Sequence, residues 1–133
     1  MTPFVARYIK PLMLVSGALT STMLYAALFP ATALSSTFGE SLHGPVAEMV
    51  VRNWAALIVI VGAMLIYGAF DVASRRMALA AAAVSKTIFI ALVLANGTRF
   101  LVYQAGVAVV VDAVMVVLFV VYLAGGHRQT ARA

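Results

Sequence analysis

The chain has 133 residues, of which 65% are hydrophobic and 10% charged, with a mean hydropathy of +1.08. A soluble domain is closer to half apolar and a quarter charged, so lipid must cover what this polar surface cannot. The net charge of +5 resolves into basic residues flanking apolar runs, which argues against a nucleic-acid partner, and the absence of cysteine excludes disulfides, thiolate catalysis and Cys-ligated clusters.

A helix needs about 20 mainly apolar residues to cross a ~30 Å hydrocarbon core. Four stretches meet that requirement, at about 11–29, 46–70, 77–95 and 104–124. They predict an all-α, integral-membrane four-helix bundle of up-down-up-down topology, a single domain over 1–133. The segment 30–45, with Gly39, Gly44 and a Ser/Thr cluster, reads as a turn-rich surface loop. The segments 71–76 and 96–103 read as short connections, and Gly125-Gly126 as the end of the fourth span. Arg7 and Lys10 ahead of an apolar run and Ala31-Thr32-Ala33 imitate a signal peptide, but the run is longer than a typical signal core. A retained first span is expected.

Basic residues set the orientation. Arg7, Lys10, Arg75, Arg76, Arg128 and Arg132 fall on one side of this arrangement; Arg99 and Arg52 fall on the other. Positive charge in short loops marks the cytoplasmic face, so both termini are expected in the cytoplasm. Phe4, Tyr8, Tyr67, Phe70 and Tyr122 then lie at the inner interface, and Tyr25, Phe29, Trp54, Phe100 and Tyr103 at the outer one. Seven Arg against two Lys, with abundant Ala and Val, points to a bacterial cytoplasmic (inner) membrane.

Two charges sit inside the spans. Lys86 lies ~13 Å in from residue 77, and Asp112 ~12 Å in from residue 104, on neighbouring spans of opposite direction. Each costs about 3 kcal/mol to insert alone, so they are expected to pair. The pair has two readings: a structural ion pair that fixes how two helices dock, or part of a proton or ion relay. Ser16, Thr20 and Ser21 on the first span are candidates for lining a cavity. The four-residue spacings of Ser16 and Thr20, and of Gly17 and Ser21, equally suit close helix packing. At the outer side Arg52, Asn53, Trp54 and Arg99 are candidates for binding an anion or a lipid headgroup, with Glu48 placed to pair with Arg52 at i,i+4. Glu40, His43 and Glu48 lack a ligand spacing, and neither His43 nor His127 lies mid-span, so no metal, haem or other cofactor is expected.

The words Arg52-Asn53-Trp54, Ser85-Lys86 and Val111-Asp112-Ala113, set in this hydropathy profile, resemble small bacterial four-helix membrane proteins of the DoxX-like and uncharacterised classes. That resemblance names no activity. No catalytic motif is present, and a non-enzymatic accessory or scaffold protein is the leading expectation, a homo-oligomer or a subunit of a larger membrane complex with membrane lipids as partners. The alternatives are a small oligomeric proton-coupled transporter or ion conduit using Lys86 and Asp112, and a lipid- or anion-binding protein using Arg52 and Arg99. A closed, dry pair favours the first; a continuous polar cavity that reaches Lys86 from either face favours the second.

Overall fold

A computed structural model describes residues 3–130, with side chains through residue 126. Arg132, and the side chains of His127 and Arg128, lie outside the described residues. The described chain is all-helical: α1 (Pro3–Ser21), α2 (Leu24–Leu28), α3 (Pro30–Phe38), α4 (Pro45–Phe70), α5 (Val72–Ala95) and α6 (Gln104–Thr130). Four stretches, Pro3–Leu28, Pro45–Phe70, Val72–Ala95 and Gln104–Gly126, are long and apolar enough to cross a membrane.

The first span starts eight residues earlier than hydropathy suggests, because Arg7 and Lys10 are helical and exposed while Val5, Ile9 and Met13 on the other face are buried. That four-residue spacing keeps one face inward through the charged stretch. Pro11 is accommodated inside the helix, at an exposed position. The helix breaks after Ser21, where the Thr22 hydroxyl donates to the Leu19 carbonyl and so competes with the backbone ladder. α2 resumes for five residues before Phe29, and Pro30 opens α3, where its missing N–H costs nothing.

α3 replaces much of the loop expected at 30–45. A proline at the first turn, then helix-compatible residues through Phe38, build two and a half turns, and Gly39 stops them at φ +71°. Glycine is required there twice over, because a Cβ on Gly39 would also overlap the Tyr103 ring.

α4 passes into α5 through one residue. Asp71 accepts a hydrogen bond from the Ser74 backbone N–H at 3.1 Å and another from the Ser74 hydroxyl, capping α5. Chiefly through that hydroxyl, Asp71 is held below its ordinary pKa of 3.8. Arg75 closes the turn from the other side, donating to the carbonyls of Gly68 at 3.0 Å and Ala69 at 2.9 Å. The expected connection 71–76 therefore shrinks to Asp71, since both arginines belong to the first turns of α5. At the far end of α6 the helix runs through Gly125-Gly126 rather than stopping. Arg76 donates to the Leu123 carbonyl at 3.1 Å, and its guanidinium occupies the space a Gly126 side chain would need.

α1 packs on α4, α4 on α5 and α5 on α6, whereas α1 and α6 touch over a short stretch only. Close approach of small residues lets helices of this composition pack tightly on one another. Gly17 and Gly62 supply it. A Cβ on Gly17 would stand 2.9 Å from the Gly62 carbonyl oxygen and 2.7 Å from Ile66 Cγ1. On α5, Ala78, Ala82 and Ala83 give the equivalent surface, and together with Ile9, Met13, Leu65, Ala69, Leu79 and Phe119 they form the main buried core. This core fills the half of the molecule nearest Asp71. The opposite end carries α3 and the 96–103 connection, joined by the Phe38 ring packed on Phe100 (5.4 Å, edge-on) and on Trp54 (6.3 Å), and by the Arg99–Glu40 ion pair.

Candidate functional site

The structure brings Lys86 and Asp112 together. Lys86 Nζ donates to Asp112 Oδ1 at 2.6 Å and to Thr20 Oγ1 at 3.2 Å. One ammonium thus ties α1, α5 and α6 to each other. The short contact is that of a charge-assisted hydrogen bond. Lys86 is buried, whereas the Asp112 side chain keeps 18% of its surface exposed. Lys86 lies nine residues before the end of α5 and Asp112 eight after the start of α6, so the pair sits ~12–14 Å below the α3 end.

Asp112 is exposed to a cavity. A space of about 420 Å³ lies inside the bundle, and every long helix lends it one stripe: Ser16 and Thr20 from α1; Trp54, Ile58 and Val61 from α4; Lys86 and Phe89 from α5; Gln104, Ala108 and Asp112 from α6. The spacings of three and four residues are those of side chains sharing a helix face. Tyr25 and Thr37, from α2 and α3, line the α3 end of the cavity. At the other end the space stops at the buried core, where Met13, Leu65, Leu79 and Phe119 are fully enclosed. The walls are mainly apolar, and the polar groups gather at the floor and toward the α3 end.

The floor contains an unanswered hydroxyl. Ser16 is 1% exposed and its Oγ has no hydrogen-bond partner in the protein. A buried hydroxyl without a partner costs about 1–3 kcal/mol, which a guest with a polar atom at the floor would recover.

Of the three first-span residues expected to line a cavity, Ser16 and Thr20 do so and Ser21 does not. One residue beyond Thr20, Ser21 has rotated by about 100° onto α4, where its Oγ occupies the space beside Gly62. The outer group separates likewise. Arg52 donates to the Ala27 carbonyl, finishing α2, and stands 4.0 Å from Glu48; Arg99 pairs with Glu40; Asn53 is exposed. Each guanidinium faces a carboxylate of its own. Trp54 lines the cavity wall and packs against Phe38.

Tyr25, Thr37, Trp54, Phe89 and Gln104 were not legible as cavity residues. One signal was available: Gln104, Ala108 and Asp112 repeat every four residues along α6, placing a polar stripe with a small residue between on one face. Tyr25 is fixed by its 2.9 Å hydrogen bond with Ser36 of α3, a contact that depends on a helix hydropathy does not predict. Comparison with protein-family models, with curated proteins and with solved structures finds no match for the chain.

Proposed function

We propose that the protein is a four-span, up-down-up-down bundle of a bacterial inner membrane, with both termini in the cytoplasm, and that it binds a small amphipathic molecule inside the membrane as a carrier or transporter. The carrying observation is a cavity that reaches the Lys86–Asp112 pair from one end and is closed from the other by a packed core. A scaffold needs no such space. Its volume lies in the range of small-molecule sites, and its mainly apolar lining with a few convergent polar groups is their usual make-up.

The charge distribution supports the orientation. Lys10 Nζ lies over the Phe70 ring at 4.5 Å, so Arg7 and Lys10 share an end with Arg75 and Arg76. At the α3 end Arg52 and Arg99 are matched by Glu48 and Glu40. This supports a cytoplasmic Asp71 end, with the cavity in the outer half of the protein. A closed core below an open cavity is the shape of one state in an alternating-access cycle, and it does not suit an open ion conduit. The narrow α1–α6 seam is where the bundle parts most readily.

Native mass spectrometry of protein extracted in mild detergent tests this reading. Wild type is expected to carry a bound small molecule, on the order of 15 non-hydrogen atoms if a 150 Å³ cavity holds benzene. Ala108→Phe, which fills the cavity, is expected to lose it. Stoichiometric recovery of a protein partner, with no small molecule in either form, would return the chain to the scaffold class.

A further inference from the structure

Resting on the cavity as a binding site, we propose that it selects an uncharged, hydroxyl-bearing molecule, a phenol or alcohol on an apolar body, and rejects organic anions and cations of the same size. The argument begins with the floor. Lys86 and Asp112 are already paired at 2.6 Å, so the floor is net neutral before any guest arrives. A third charge at this depth has no counter-ion left and keeps its full desolvation cost.

The hydrogen-bonding inventory then specifies the head. The ammonium has three N–H groups, of which Asp112 and Thr20 take two. The Asp112 carboxylate, partly exposed to the cavity, has acceptor capacity beyond its bond with Lys86. A hydroxyl both donates and accepts, so one such group answers the carboxylate and the remaining N–H together. The second observation is Ser16. Ser16 lines the same cavity, and its buried Oγ has no partner in the protein, so a small side-chain rotation gives a hydroxyl guest one more bond. Above the floor the walls supply aromatic and aliphatic surface from Trp54, Phe89, Ile58 and Met115, which fits an apolar body.

Trp54 makes the test direct, because it is the protein's one tryptophan and lines the cavity. Its fluorescence is titrated at pH 7, in nanodiscs, with four bromine-bearing quenchers of one ring size: 4-bromophenol, bromobenzene, 4-bromobenzoate and 4-bromobenzyltrimethylammonium. Ala108→Phe, with the cavity filled, measures quenching from the lipid. Saturable quenching by 4-bromophenol is expected at a concentration about tenfold or more below that of the other three, the worth of one or two hydrogen bonds. Ser16→Ala is expected to raise that concentration roughly threefold, a gentle change that leaves the ion pair intact. The double variant Lys86→Met/Asp112→Leu is expected to bind the phenol no better than bromobenzene. If a charged probe binds as well as the phenol, or bromobenzene matches it in wild type, the headgroup assignment is overturned while the binding cavity stands. If none of the four quenches saturably beyond the Ala108→Phe background, the cavity takes no such guest and both readings are overturned.

Discussion

Removing the Lys86 side chain tests whether the buried pair is worth more than the sum of its parts. In Lys86→Met the hydrogen bonds to Asp112 and Thr20 both disappear, and a carboxylate remains at mid-depth without its cation. Breaking a buried pair from one side costs about 3–5 kcal/mol. Here the loss is expected at or just below the lower end of that range, about 2–4 kcal/mol, because Asp112 keeps some exposure to the cavity. Lys86→Met/Asp112→Leu removes both charges, and replacing a buried pair with apolar groups is often neutral or stabilising. It is therefore expected within about 1 kcal/mol of wild type, giving a coupling of about 1 kcal/mol or more in the double-mutant cycle. The assay is reversible unfolding in mixed micelles titrated with sodium dodecyl sulfate, followed by far-ultraviolet circular dichroism. A single variant as stable as wild type, or a double variant worse than the worse single one, refutes the reasoning.

Gly17→Val forces α1 away from the Gly62 carbonyl, and overpacking of this kind is expected to lower unfolding stability by about 1–3 kcal/mol in the same assay. Asp71→Asn weakens the α5 cap. Because the folded Asp71 pKa is depressed, the carboxylate's contribution is present above its ordinary value of 3.8 and is lost as pH falls through the folded value. The stability gap between wild type and Asp71→Asn is accordingly expected at neutral pH and to close below about pH 4, as read from unfolding midpoints across a pH series. Topology is testable without background labelling, since the native chain has no cysteine. In intact cells a membrane-impermeant maleimide is expected to label Leu42→Cys and to spare Ala73→Cys until the membrane is opened; the reverse pattern inverts the orientation.

Sequence alone revealed the spans and their charged pair because the underlying physics is one-dimensional or expensive. Twenty apolar residues are needed to cross hydrocarbon, and a mid-depth charge has few partners to choose from. Lys86 and Asp112 were the only two charges that deep in the expected spans. Helix ends were less legible. Hydropathy stops at a charge, whereas the helix continues through Arg7, Lys10, Arg75 and Arg76, whose long side chains sit at the ends of otherwise apolar helices. The inward faces were least legible. In a soluble helix the buried side is the apolar one, but in a membrane both sides are apolar, so Phe119, fully buried, and Val117, well exposed, carry the same signal. Trp54 shows the same ambiguity, as an amphipathic ring that suits an interface and a cavity wall equally.

The single-residue turn at Asp71 has a consequence for how the protein is made. With its carboxylate capping α5 and Arg75 closing the end of α4, the turn leaves no slack between the two helices. On the membrane reading proposed above, residues 45–95 are expected to enter the bilayer as one hairpin, rather than as two segments threaded in succession. On that reading the orientation of α5 follows from that of α4. Lengthening this connection with a glycine-serine insert would be the change that lets the translocation machinery handle each segment separately.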